Sequence, residues 1–433
     1  MKVMWLCNTP TAAVAKACKI PKSAQGGWLV SVANELEQNK DVEFTYVLLS
    51  KEAVQGIQYV TNERSTYVTV NMSDGSDSAL IAVFEEVLKN QKPEIIHIWG
   101  TEYKHSWAMV EAAKKVELID QVVISIQGMA SMYAMHYMGG IPGRYQMLPS
   151  FRDWLRKDSL KMQKQNMYLR GKYEISAIKD VKHAIGRTFW DYACVKLLNP
   201  EINYHFNNET LRENFYTSEW EYSKCRKHSI FVSQSHYPIK GFHYLVEAVA
   251  ILKEKYPDVQ VYVSGHGNAF KTGVLETAYG KYIKHLMRKH HLTENIQYVG
   301  MLDAEQMKQQ FLKSEVFVSP SVIENSPNSV GEAMLLGMPI VSSNVGGVSD
   351  ILTHGKDGWL YQSDAPYLLA YYVSQFFENQ RMEYEFGENA KAHARKTHNK
   401  EENIKKLLEI YEELLQGKVT NNDKESEKKI KAK

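Results

Sequence analysis

The chain has 433 residues, too many for one ordinary core at roughly 150 residues per domain, so two or three domains are expected. Its 52 Lys+Arg nearly balance 50 Asp+Glu, leaving a formal charge of +2 and no general field that would attract a nucleic-acid partner. Four cysteines (Cys7, Cys18, Cys194, Cys225) have no CxxC or Cys/His spacing, which argues against a disulfide framework or a zinc site and for a reduced, cytoplasmic protein.

The opening MKVMWLCNTP lacks the long apolar core of a secretory signal and reads as a buried first strand, and no apolar run reaches the roughly 18 residues of a transmembrane helix. From there, short apolar runs alternate with amphipathic stretches, the pattern of βα units around a parallel sheet. Strands are predicted at Lys2–Cys7, Phe44–Leu49, Ile95–Trp99, Val122–Ile126, His183–Gly186 and Ile202–Phe206, with helices at Gly27–Asn39, Ser78–Asn90 and Ser106–Val116. The cycle restarts with strands at Ser229–Ser233, Val259–Ser264, Ile296–Val299, Val316–Ser319, Pro339–Ser342 and Gly358–Tyr361. Helices at Gly241–Lys255, Tyr279–His291, Glu305–Lys313 and Val330–Leu336 separate them.

The expected architecture is α/β, with two Rossmann-like domains at 1–222 and 223–381 joined through the charged, aromatic stretch Thr217–Lys227. Ligands of open α/β sheets bind beyond the carboxyl ends of the strands, so the cleft between the two domains is the expected site. A helical region follows at 382–416, whose Ile404, Leu407, Leu408, Tyr411 and Leu414 share one face. Residues 417–433 hold no large apolar side chain beyond single Val and Ile, and a disordered tail is expected there.

The most informative segment is Val316 to Asp350, VFVSPSVIENSPNSVGEAMLLGMPIVSSNVGGVSD. A buried strand ends at Pro320, a loop carries Glu324, and a helix begins near Asn328 or Ser329. The backbone N–H groups of that helix start, at Ser326, Asn328 and Ser329, favour an anion, and a diphosphate is a natural occupant. Glu324 is placed to accept hydrogen bonds from sugar hydroxyls, and Glu332, early in the helix, to reach a ribose diol, as carboxylates do in dinucleotide-binding folds.

This segment resembles the E-x7-E motif of the family-4 retaining glycosyltransferases of GT-B fold, in which Glu324 and Glu332 are the two glutamates. Ser319-Pro320-Ser321, Glu332-Ala333-Met334, Gly337-x-Pro339 and Gly346-Gly347 fit the same pattern. Upstream, Ile230–Gly241 resembles the first strand of the family's nucleotide lobe, which implies that the Lys240 ammonium neutralises the diphosphate leaving group. Where the family has Gly-Arg this chain has Ser233-Gln234, so Gln234 occupies the place of a second cation, and Arg187 or His236 is the candidate substitute. Gly265-His266-Gly267 resembles the family's G-x-G, whose backbone approaches the donor. In the first lobe, Gln25-Gly26-Gly27-Trp28 opens a helix where the family sets a Gly-Gly loop against phosphates and acceptor. Gln127 stands where many relatives carry a histidine that touches the donor sugar; a hydrogen bond survives there but proton chemistry does not. His97 reads more readily as a satisfied strand histidine than as a catalyst, and Arg187 with Asp191 reads equally as a structural ion pair. The resemblance covers the second lobe well and the first loosely, in the manner of bacterial polysaccharide-assembly members.

The resemblance implies transfer of a sugar from a nucleotide diphosphate sugar to a hydroxyl of a glycan or lipid-linked acceptor, with retention, and a C-terminal helix crossing back onto the first domain. No cofactor is expected and no metal, since no DxD stands at a strand end. A nucleotide-sugar 2-epimerase of the same architecture and a non-catalytic sugar-binding partner subunit are the competing readings; a dehydrogenase is disfavoured because no GxGxxG follows the first strand. Residues 151–200 hold eleven Lys/Arg against five acids, interleaved with Phe151, Trp154, Leu155, Leu160, Met167, Tyr168 and Leu169. Such a stretch suits peripheral contact with an anionic membrane, at the inner face of the cytoplasmic membrane, or equally a solvated basic helix.

Overall fold

The computed structural model describes residues 1–21, 27–62 and 64–417, so the expected tail lies outside the described residues from 418 onward. These residues form two compact units, one of Met1–Ser131, Leu169–Thr210 and the stretch from His398, the other of Met132–Tyr168 and Leu211–Thr397.

The first unit is built on eight strands: β1 (Lys2–Cys7), β2 (Glu43–Leu49), β3 (Gly56–Asn62), β4 (Ser65–Asn71), β5 (Ile95–Trp99), β6 (Val122–Ser125), β7 (His183–Gly186) and β8 (Asn203–Phe206). Their order is β3-β4-β2-β1-β5-β6-β7-β8. All pairs are parallel except β3 with β4, an antiparallel hairpin at the edge. The inner strands are apolar on both faces because both faces are covered, as parallel sheets require. On one face Trp5, Phe44, Tyr46 and Trp99 pack with Leu407, Ile410 and Tyr411 of the Lys400–Leu415 helix. The fully buried Trp5 Nε1 donates to the Tyr411 hydroxyl at 2.9 Å.

The second unit holds β9 (Arg226–Val232), β10 (Gln260–Ser264), β11 (Ile296–Gly300), β12 (Ser314–Ser319), β13 (Ile340–Ser343) and β14 (Trp359–Tyr361). They are ordered β11-β10-β9-β12-β13-β14, every pair parallel. Alternation along each strand divides the core between two faces. Ile230, Val232, Val316 and Val318 point to one cluster; Phe231 and Phe317 point to the other, with Phe311, Met334 and Ile340.

The units divide the chain differently from the expected 1–222 and 223–381. Leu211 and Phe215 are fully buried in the second unit's core with Phe231 and Phe311, which moves its start ahead of the aromatic linker. Residues 132–168 also join it, because Ile141 and Leu160 are buried in its other cluster. The helical region 382–416 is split. The Gln380–Thr397 helix belongs to the second unit and lies so close to the Asn328–Leu336 helix that a Cβ on Gly387 would sit 2.1 Å from the Gly337 carbonyl oxygen. Only the Lys400–Leu415 helix belongs to the first unit.

Candidate functional site

In the second unit, four loops follow four adjacent parallel strands, β10, β9, β12 and β13, and so emerge at one edge of the sheet. They carry, in that order, Gly265–Gly267, Ser233–Lys240, Pro320–Asn328 and Asn344–Gly347. Hydrogen bonds tie the loops together: Ser264 Oγ donates to the Ser233 carbonyl at 3.0 Å, Val322 N–H to the Ile239 carbonyl at 2.7 Å, and Ser343 Oγ to the Ser321 carbonyl at 2.6 Å.

Two glycines make this close approach possible. Gly241 has φ +64°, and a Cβ there would lie 1.7 Å from the Pro320 carbonyl oxygen. Gly346 has φ +54°, and a Cβ there would lie 1.9 Å from the carbonyl oxygen of Glu324, which accepts from Gly347 N–H at 3.1 Å. Any other residue at either position would be strained in backbone and would push the Glu324 loop away.

Within that frame the Lys240 ammonium donates to Glu324 Oε1, which also accepts from Ser321 Oγ at 3.0 Å. Burial alone would lower the Lys240 pKa; the adjacent Glu324 carboxylate outweighs it and holds the pKa above its ordinary value. The helix Asn328–Leu336 starts after Pro327, which has no side-chain acceptor to cap it, so its positive end is left for another anion. Glu332 lies in the second turn of this helix. Arg212 grips it as a fork, Nε to Oε1 at 2.5 Å and Nη2 to Oε2 at 2.6 Å. Burial raises the Glu332 pKa, and Arg212 only partly offsets this. An ammonium, a free helix start and two carboxylates on one loop-and-helix unit suit a ligand with a diphosphate and several hydroxyls.

Residues 221–393 match the family model for glycosyl transferases, group 1. A D-inositol 3-phosphate glycosyltransferase from Corynebacterium urealyticum is 26% identical over 176 residues, which cover 41% of this chain and 41% of that protein. The chain thus spans about two fifths of the length of that curated relative. Among solved structures, sucrose-phosphate synthase from Thermosynechococcus elongatus superposes with a TM-score of 0.71 at 13% identity, over 96% of this chain and all of that one. Anabaena HepE, solved in complex with UDP and glucose, superposes with a TM-score of 0.65 at 15% identity, over 95% and 99%. The fold is the two-Rossmann GT-B arrangement of these glycosyltransferases.

Against this glycosyltransferase frame the expected residues sort clearly. Lys240, Gln234, Gly265, Gly267, Glu324, Ser326, Asn328, Ser329 and Glu332 all belong to the second unit's strand-end loops and the helix behind them. Gly265 has φ +94°, and Gly267 lies against the Tyr298 ring, 2.7 Å from where a Cβ would stand. Gln127, Gly27 and Arg187 belong to the first unit, while Gly26 lies outside the described residues. Arg187, the candidate substitute cation, is buried within the first unit against the Glu209 carboxylate, which also accepts from Gln127 Nε2. Asp191 accepts from the Arg187 backbone N–H at 3.2 Å and from the Tyr204 hydroxyl. His236 is neutral, since burial, aided by Lys240 and His266, lowers its pKa to about 3. His97 is fully buried between the Tyr411 hydroxyl at 2.6 Å and Ser125 Oγ at 2.7 Å, and burial lowers its pKa to about 3, as suits a satisfied core histidine.

Sequence reasoning missed the role of Arg212, whose partner lies 120 positions away, and of Tyr133, whose hydroxyl accepts from Asn325 N–H at 3.0 Å. No spacing in the sequence announces either. Among the described residues no three His, Cys, Asp or Glu side chains cluster as metal ligands do, and no helix is long and apolar enough to cross a membrane.

Proposed function

We propose that the chain transfers a sugar from a nucleotide diphosphate sugar to a hydroxyl of a glycan or lipid-linked acceptor, with retention at the anomeric carbon and without a metal ion. The observation that carries this reading is the Lys240–Glu324 pair held one loop ahead of the helix that bears Glu332. In the reaction the bond from the anomeric carbon to the diphosphate oxygen breaks as the acceptor oxygen bonds to that carbon on the same face. The acceptor proton passes to the departing phosphate. Charge grows on the diphosphate, where Lys240 and the start of the Asn328–Leu336 helix stabilise it. Glu324 holds sugar hydroxyls. Each Glu332 oxygen has a second lone pair, so ribose hydroxyls can donate to it while Arg212 stays in place.

Nucleotide sugars are screened by thermal shift, and the anomer formed from the one that binds is read by NMR. A retained anomer, formed at full rate in EDTA, is expected. An inverted anomer, or activity lost in EDTA and restored by Mg²⁺ or Mn²⁺, would overturn the retaining and metal-free parts in turn.

A further inference from the structure

Away from that site, residues 147–155 leave a row of large apolar side chains in solvent. Met147 is 66% exposed, Leu148 68%, Phe151 62%, Trp154 67% and Leu155 65%, and the Phe151 and Trp154 rings lie 6.2 Å apart. Soluble monomers rarely leave such a contiguous patch without a partner for it. The row continues into a groove lined by Ala134, Met135, Met138, Met147, Lys161 and Lys164, which joins it to the first turns of the Leu160–Asp180 helix.

The charges around it are one-sided. Residues 132–168 contain six Lys/Arg and two Asp, and Arg152 holds both acids, Asp153 at 2.9 Å and Asp158 at 2.7 Å. Arg144 lies 3.3 Å from His285. Arg156, Lys157, Lys161 and Lys164 have no acidic partner among the described residues. Four of the cations further along the stretch are engaged elsewhere. Arg170 donates to the Glu102 carbonyl, Lys182 pairs with Asp120, Arg187 is buried on Glu209, and Lys196 donates to the carbonyls of Pro200 and Ile202. Exposed apolar side chains and unpaired basic ones coincide over 147–164.

We propose that residues 147–164 dock the protein on an anionic lipid surface, with Phe151, Trp154 and Leu155 entering the headgroup region. Arg156, Lys157, Lys161 and Lys164 then meet lipid phosphate. Charge complementarity decides the occupant, because a second copy would set four unpaired cations against four more. A single-stranded nucleic acid suits the cations, but the aliphatic Met147, Leu148 and Leu155 offer its bases no stacking face.

The inference stands apart from glycosyl transfer, since lipid binding is read without donor or acceptor, and donor binding without lipid. The full chain is sedimented with phosphatidylcholine vesicles and with vesicles that also contain phosphatidylglycerol. Binding only to the second, weakening as salt rises, is expected. The Arg156→Gln, Lys157→Gln, Lys161→Gln, Lys164→Gln variant should lose about tenfold or more in partition. Trp154→Ser with Leu155→Ser should lose binding at every salt concentration, and both variants should keep the wild-type melting temperature and donor affinity. Equal binding to neutral vesicles, no binding at low salt, full binding by the quadruple variant, tighter binding to single-stranded RNA, or self-association abolished by Trp154→Ser would each overturn it.

Discussion

At the scale of single residues, the two glutamates differ in what they touch, and this separates their expected effects. Glu324 shares its carboxylate with a lysine and a serine in a loop, whereas Glu332 is locked to Arg212 inside a helix. Glu324→Gln keeps the shape but removes the charge opposite Lys240, so it should cut kcat strongly while leaving affinity for the free nucleotide diphosphate nearly intact. Glu332→Ala should weaken nucleotide binding in calorimetry by tenfold or more, ~1.4 kcal/mol or above. It should also lower stability by up to ~3 kcal/mol, because it leaves Arg212 unpaired and largely buried. Arg212→Gln is the control that separates the two effects: it loses the pair but keeps the carboxylate. Unchanged nucleotide affinity in Glu332→Ala would remove the ribose role. The gathering of Glu324, Glu332 and Lys240 at one sheet edge was legible in the sequence because each sits at a fixed offset from a recognisable strand. Their pairing partners were not legible, since a side-chain contact across 84 or 120 positions leaves no trace in local spacing.

At the scale of elements, the parallel strands were readable because burial on both faces leaves continuous apolar runs. The β3–β4 hairpin was not: β3 is an edge strand whose residues are all exposed or half-buried, with Gln58, Thr61 and Asn62 breaking any apolar run, and β4, though largely buried and parallel to β2, interrupts its apolar residues with Ser65, Thr66 and Thr69. Two elements of the second unit carry specific predictions. Gly387→Ala adds a methyl group where the Gly337 carbonyl stands, so it should cost about 1–3 kcal/mol through overpacking and shift the Glu332 helix enough to weaken nucleotide binding. A gain in melting temperature, from better helix propensity alone, would contradict that close packing. Glu383, on the same Gln380–Thr397 helix, is fully buried with neither carboxylate oxygen hydrogen-bonded. Burial, and then the nearby Glu315 carboxylate, push its pKa up to about 9. The folded state therefore keeps a proton that the unfolded chain releases above its own value of about 4.5, so stability falls as pH rises from there toward 9. Glu383→Gln should raise the melting temperature at pH 8 by several degrees and change little at pH 4.5. An equal effect at both values would mean that Glu383 is not protonated in the folded protein.

At the scale of the whole molecule, acid should act through buried histidines in both units. Burial lowers the pKa of His97, His205, His236 and His243 to about 3, and of His105 and His183 to about 4. Unfolded histidines titrate near 6.5, so as pH falls below that the unfolded chain takes up protons that the folded chain refuses, and stability is lost. Above pH 6.5 these groups contribute no slope. Raised carboxylates such as Glu383 act in the opposite sense above pH ~4.5, so the steepest loss is expected below about pH 5. Unfolding calorimetry in buffers of different ionisation heat counts the protons; uptake of less than about one at pH 5 would overturn the assignment.

The hydrogen bond from Trp5 to Tyr411 joins residues 406 positions apart, and this separation also sets a timetable. A ribosome adding about 5–20 residues per second leaves roughly 20–80 s between the two side chains. Throughout that interval the apolar face around Trp5, Phe44 and Trp99 waits without the helix that covers it. Every residue of the second unit has meanwhile been made by the time Thr397 is added. The usual vectorial order, N-terminal part first, is thus inverted, and the earliest-made sheet should be the last to mature and the one that depends on chaperones. Nascent chains arrested with Thr397 just outside the ribosome should yield a protease-resistant 211–397 fragment while residues 1–131 are still cut. Extending the exposed chain through residue 417 should protect both.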